Sequence, residues 1–431
     1  MDVAGGACNF IGDLVAFGYA RAFRRTLRHR STREIHRVAV PEGLHQICRS
    51  VFVQIDTEYP LVHILKFDKF NFPVPFRRVF RHSSAARKQA ENFIVQASLN
   101  QKTTGWGESC PREYVTGESI STCKKFLQDN LESLQGITDI VSLRTWIKNH
   151  EHEIDQNPSA FCAIELALLD AFGKHHSIPV ETLLSIDQLS ETTNYSAVLG
   201  NSPYLVYWLL AQRYRAYGFR SIKIKLSGNL NKDRRKLLLW QTARLRKRAI
   251  RLDANNLWKS VEDCLNYLQQ LPKAYWAIEE PLQPRDFAEL IQLAERIETN
   301  IILDESVTQI NDLTHYRGEK WIVNLRVSKL GGIHRAIQVA QAAKSRGLNT
   351  IVGAHVGETS ILTRAGIVLI QYLKNSQLAT EGAFGTHLLK KDLATEPLQF
   401  AREGQLRLSQ TSCLAQPGLG LKVRTDLLKP D

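Results

Sequence analysis

The stretch SIKIKLSGN, residues 221–229, alternates as a strand does: Lys223 and Lys225 fall on one face, Ile222, Ile224 and Leu226 on the other. On a sheet with one wet face this is ordinary. In a parallel barrel both faces are covered, and two buried ammonium groups need carboxylates or a substrate beside them. The flanking sequence favours the barrel. Beyond YSAVLG at 195–200, short apolar strands alternate with helix-like runs such as SVEDCLNYLQQL and IHRAIQVAQAAKSRG, the pattern of a parallel sheet. Polar residues close the successive strands at Lys225, Asp253, Glu279, Asp304, Lys329, His355 and Glu381, in steps of 28, 26, 25, 25, 26 and 26 residues. One strand and helix per step is the repeat of a (β/α)8 barrel, whose C-terminal strand ends share one mouth.

Three of those ends are acids, in IRLDANNLW, WAIEEPLQP and IILDESV. Asp253, Glu279 and Asp304 on one mouth repel one another unless a divalent cation joins them. Oxygen-only ligands with no His or Cys among them favour Mg²⁺ over zinc. Lys223 and Lys225 rise on one side of such a site, and Lys329, four strands later, rises opposite. A lysine near a metal and a second ammonium is expected to lose affinity for its proton, which suits general-base work on a weak carbon acid.

The remaining composition bounds the alternatives. With 431 residues and 43% apolar content the chain can bury a large core. No run of about eighteen apolar residues occurs, so no membrane span is expected, and the N-terminus lacks the order of a secretory signal. Seven scattered cysteines with no CxxC pair suggest neither zinc nor a disulfide framework, and a cytoplasmic setting is expected. The formal charge of +13 is spread along the chain, which argues against nucleic acid as the main partner and for attraction of anionic small molecules. Residues 1–60 stand apart: RAFRRTLRHRSTREIHR holds seven arginines and one acid, a basic extension with no chemical role assigned. From residue 62, strand-like HILKFDKFNF, helix-like SSAARKQAENF and a glycine-rich loop, GWGESCPREYVTGES, lead into helical periodicity from Ser119 to Lys174.

The set KIK, LDAN, IEEP, LDES and KLGG, in that order and spacing, resembles the enolase superfamily, muconate-lactonizing-enzyme subgroup. The resemblance runs from about residue 62 to about residue 428 and includes AIELALLDAFGK and the closing QPGLGLKV. It implies an α/β fold: a modified (β/α)8 TIM barrel with an α+β capping domain. The expected divisions are 1–60, the extension; 61–190, the capping domain; 191–380, the barrel; and 381–431, the last barrel strand with a segment returning to the cap.

Carried over by position, Asp253, Glu279 and Asp304 match the Mg²⁺ ligands (Mn²⁺ being the alternative), Lys225 and Lys329 the acid/base pair, and Lys223 the helper lysine. Asn255 and Glu305 match residues that support the ligands. Cap loops near 76–82 and 110–114 match the segments that select substrate, with Arg77, Arg81 and Tyr114 as candidate contacts. His355, Glu358, Glu381 and Phe384 are further candidate contacts.

The implied reaction is Mg²⁺-dependent removal of the proton α to a carboxylate through a stabilised enolate. Epimerisation or racemisation of a dipeptide or N-acyl amino acid comes first. Muconate-type cycloisomerisation, dehydration of the o-succinylbenzoate synthase kind and a non-catalytic scaffold are the alternatives. Dipeptide epimerases of the subgroup usually carry Asp-x-Asp on the eighth strand, and EGAFGTHLL lacks that pair. The expected partner is a small-molecule carboxylate, and a homo-oligomer is expected.

Overall fold

The structure, a computed structural model, describes residues 62–81, 86–100, 103–189, 192–241 and 250–430. The basic extension at 1–60, with Cys8 and Cys48, lies outside the described residues.

The chain first builds an antiparallel sheet from β1 (Ile64–Arg81), β2 (Ala86–Leu99) and β3 (Thr104–Ser109). Phe72, Val74 and Phe76 alternate into its core. The run from 83 to 93, expected as helix, is strand from Ala86 onward, paired along β1 from Arg81↔Ala86 to Ile64↔Leu99. Its Ala, Arg, Lys, Gln and Glu favour helix by only about half a kcal/mol per residue, which pairing along a long hairpin outweighs.

The glycine-rich stretch expected as a loop begins as strand β3. Its glycines serve packing: a Cβ on Gly105 would meet the Ala167 carbonyl oxygen at 2.1 Å, and one on Gly107 the Ala163 carbonyl oxygen at 1.9 Å. Both belong to the helix Pro158–His175, which is buried from Pro158 to Gly173 and is correspondingly apolar on every side. Only residues without a Cβ let the sheet lie this close to that helix.

After a short β4 (Thr192–Asn194), seven parallel strands follow: β5 (Ala197–Leu199), β6 (Ile222–Lys225), β7 (Ile250–Asp253), β8 (Ala277–Glu279), β9 (Asn300–Leu303), β10 (Trp321–Leu325) and β11 (Asn349–Val352). They pair in sequence order. Residues 378–381 close the ring. On one side Leu378 N–H donates to the Thr350 carbonyl and Glu381 N–H to the Val352 carbonyl; on the other, Ser196 N–H donates to the Thr380 carbonyl at 2.8 Å. Register pairs Lys225 with Asp253 and Asp253 with Glu279, so three polar strand ends stand at one level.

Two residues earlier, inward positions on the far side of the ring form an apolar floor of Ala277, Ile302, Ile322, Ile351 and Ala379. The regular spacing misplaces two strand ends. Lys329 lies four residues beyond β10, in a turn, and Leu325 ends that strand. His355 likewise lies three residues past β11. The chain then returns to what it built first: β12 (Gln405–Arg407) pairs with β4, and β13 (Lys429–Pro430) pairs with β1 at Phe70↔Pro430. Among the described residues no helix is long and apolar enough to cross a membrane.

Candidate active site

Lys223 and Lys225 both point into the ring, which answers the question their alternation raises. Lys223 is 3% exposed, and its Nζ lies 2.8 Å from Glu279 Oε1, 3.1 Å from Asp253 Oδ2 and 3.3 Å from Glu381 Oε1. Burial works against its charge, but these three carboxylates outweigh burial and hold it above the ordinary lysine range. The fall expected from the sequence therefore does not apply to Lys223, because its nearest neighbours are anions. Lys225 Nζ reaches Asp253 Oδ2 at 3.2 Å and donates to Asn255 Oδ1 at 2.8 Å. Asn255 thus touches the lysine itself, from a residue held at φ 47°. Burial disfavours the Asp253 charge, yet Lys223 and Lys225 hold its carboxyl well below the usual range.

The two neighbouring glutamates of IEEP part ways. Glu279 faces the ring; Glu280 faces the next loop, where it accepts from the Asp304 and Ser306 amides and the Ser306 hydroxyl. Lys329 is fully buried and donates to Asp304 Oδ1 at 3.1 Å and to the carbonyls of Asp304 (2.6 Å) and Asn324 (2.9 Å).

Three site residues escape the sequence reading. The Arg326 guanidinium meets the Asp304 carboxylate directly and stands 3.7 Å from Glu279 Oε1. Asn324 donates to Glu279 Oε1 at 3.2 Å. Arg251, fully buried, donates to Glu381 Oε1 at 2.6 Å and to the hydroxyls of Ser196 and Ser221. The period of two holds the missing signal. Arg251 precedes Asp253 by two, and Asn324 precedes Arg326 by two, so each pair shares the inward face.

Among the described residues no three acids stand close enough to hold an ion, and Lys223 and Arg326 sit between them. The donor set nevertheless fits a hard divalent cation. Asp253, Glu279 and Asp304 offer oxygen alone, and Glu279 Oε2 is buried with no hydrogen-bond partner. Burial, with Asp253, Glu381 and Asp304 nearby, pushes the Glu279 carboxyl up to about 8 despite Lys223. Burial also pushes Glu305 up to about 8, with Asp304 and Glu280 adding to it. Burial leads both shifts, whereas the neighbouring cations hold Asp304 and Glu381 below the usual carboxylate range.

A cavity of about 990 Å³ opens over the ring, and Lys223, Lys225, Asn255, Glu305 and Arg326 line it. Lys329 does not. Of the candidate substrate contacts, Arg77, Tyr114, His355, Glu358, Glu381 and Phe384 line the same cavity. The side chain of Arg81 lies outside what the structure describes. Arg77 is not on a loop. It extends β1, its amide donates to the Leu388 carbonyl at 2.8 Å, and its Nε donates to the Thr386 carbonyl at 2.5 Å. Glu358 accepts from the His355 amide at 2.5 Å, and burial pushes its carboxyl up to about 8.

The chain is similar to known proteins over most of its length. The family model described as Enolase C-terminal domain-like matches residues 208–427. The chain is 25% identical over 370 residues to the L-Ala-D/L-Glu epimerase of Bacillus subtilis (strain 168), spanning 83% of this chain and 96% of that one. It is 24% identical over 387 residues to the N-succinyl-L-Arg/Lys racemase of Bacillus cereus, spanning 83% and 94%. In fold it resembles the muconate lactonizing enzyme of Pseudomonas fluorescens, solved with muconolactone, at TM-score 0.74 and 22% identity over 85% of this chain and 98% of that one.

Proposed function

The chain belongs to the enolase C-terminal domain-like family, and from that premise we propose that it takes the proton α to a substrate carboxylate and returns one. The outcome is epimerisation or racemisation of a dipeptide or an N-acyl amino acid. The observation behind this reading is the position of two lysines. β6 and β10 lie four places apart in the ring of eight, so Lys225, on the cavity wall, and Lys329, buried in the turn after β10, stand on opposite sides of the ring. A base on each face of one carbon allows removal on one side and return on the other. The relatives named above support the class of reaction.

In this reading the substrate carboxylate enters at the end of the cavity lined by Lys225, Asn255 and Arg326. Lys225, steadied by Asn255, exchanges the proton on one face. Lys329 serves the other face after giving up its bond to Asp304. Lys223, held charged, supplies a fixed positive charge beside the carboxylate as negative charge builds there. Asp253, Glu279 and Asp304, with Glu305 nearby, would hold Mg²⁺ or Mn²⁺, which would supply Lewis-acid stabilisation of that same charge.

Cycloisomerisation begins with related chemistry and is the second reading. One observation is compatible with it and counts against a dipeptide substrate alone: Glu381 is already paired with Arg251 and Lys223. A cytoplasmic homo-oligomer remains part of the proposal, and light scattering that shows a monomer would remove its second half. The test of the reaction is mass spectrometry in D₂O with Mg²⁺, using N-acyl amino acids, dipeptides and muconolactones beside a Lys329→Ala control. Uptake of one deuterium at the α-carbon is expected from both enantiomers with the native protein and from only one with the control. No uptake from any of the three classes would overturn the reading.

A further inference from the structure

We infer, resting on the proton-transfer reading above, that the ligand is an amphiphilic N-acylated amino acid. Its carboxylate faces the ring, it carries no free ammonium, and its apolar acyl chain lies in a groove along the helix Tyr204–Tyr217.

The groove exists because the last barrel unit has no helix. After Glu381 the chain makes only a three-residue turn, Gly385–His387, before it runs on to Phe400. The helix Tyr204–Tyr217, which follows β5, therefore has one flank with no neighbouring helix from the final unit. The cavity extends down that flank. It includes Val206, Leu210, Tyr214 and Tyr217, which recur on one side of the helix with the spacing of successive turns.

It also reaches Phe219, three residues before β6 starts, whereas Lys225 ends that strand. The cavity thus spans the strand from its charged end to beyond its other end, along a fourteen-residue helix about 21 Å long. Across from the helix, Phe400 packs edge-on against Phe219 and Phe384, with ring centres 5.4 and 5.1 Å apart, so the wall is already built. Arg213 lies over the Tyr217 ring, and His387 bonds to the Phe400 carbonyl.

Size and charge point the same way. About 990 Å³ is at the upper end of small-molecule sites, which run from about 300 to about 1,000 Å³. No carboxylate lines the cavity along the helix Tyr204–Tyr217; the three that line it lie toward the ring. Glu381 is taken by Arg251 and Lys223, Glu358 accepts from the His355 amide, and Glu305 stands beside Asp304 at the end that receives the carboxylate. Acylation removes that charge and supplies the apolar chain.

The experiment uses the full chain with Mg²⁺ and three probes, N-acetyl-, N-hexanoyl- and N-decanoyl-leucine, beside alanyl-leucine. Calorimetry reads binding and mass spectrometry in D₂O reads α-proton exchange. Affinity is expected to rise by up to about fourfold for each methylene the groove buries, at least about tenfold from acetyl to decanoyl, with alanyl-leucine weaker than the hexanoyl probe. Val206→Glu and Leu210→Asn, made separately, are expected to flatten the chain-length dependence. The inference is overturned if affinity is independent of chain length, if alanyl-leucine binds more tightly, or if both variants keep the dependence. Exchange without chain-length dependence leaves the proton-transfer reading standing and removes this one. Chain-length-dependent binding with no exchange from any probe does the reverse.

Discussion

Arg251 and Glu381 show how a single residue holds this mouth together. Both are buried, and the guanidinium leaves Glu381 its shortest charged contact at 2.6 Å. Arg251→Met leaves that carboxylate to Lys223 alone, so unfolding in urea should show a loss of about 1–3 kcal/mol; an unchanged midpoint would contradict the pairing. Glu279 carries the opposite load, an oxygen without a partner. Glu279→Gln should keep the fold and weaken Mg²⁺ binding by more than about tenfold in calorimetry, whereas unaltered binding would remove Glu279 from the ligand set. At this scale the acids and lysines were legible because charge on an inward strand position needs a reason. Arg326 and Arg251 were not, since an arginine in an apolar strand reads equally as a solvated side chain until the partner strands are known.

At the level of elements, the recurrence of 25 to 28 residues made the barrel readable from sequence, because each strand and helix must together span one ring position. The same count misplaced Lys329, since the turn after β10 shifts it four residues beyond the strand. The capping sheet was harder to read. The residues of β2 are locally helix formers and become strand only by pairing with β1, and the glycines of β3 mark a close helix rather than a turn. Gly107→Ala should therefore destabilise the cap by about 1–3 kcal/mol or more, read as a lowered melting temperature, with no change expected if that strand were a loop. Behind β6 a further buried set fixes the segment bearing Lys225: Lys236 donates to the Lys225 carbonyl and to Asp233, which also accepts from Ser227 and Tyr267. Lys236→Met leaves Asp233 without its cation, and a loss of about 3 kcal/mol is expected in urea.

Across the molecule, the cap meets the barrel at Glu108, which accepts from the amides of Thr359 and Leu362, the Thr359 hydroxyl and Asn92. Burial outweighs those donors and pushes its carboxyl from 4.5 up to about 7. A group raised on folding stabilises most below its unfolded value, and that contribution is lost as pH rises through the folded one. Stability should therefore fall between about pH 4.5 and about pH 7, and Glu108→Gln should flatten the slope; a rise across that window would contradict the assignment. The closed ring carries the larger claim, that lysines on opposite sides act on one carbon. The most direct measurement follows each enantiomer of the substrate separately in D₂O with Mg²⁺, using the native protein, Lys225→Ala and Lys329→Ala. Both variants should lose interconversion by about 10²–10⁴-fold, each keeping α-deuterium exchange with one enantiomer, and the two variants with opposite ones. Interconversion that survives in either variant would contradict a lysine on each face.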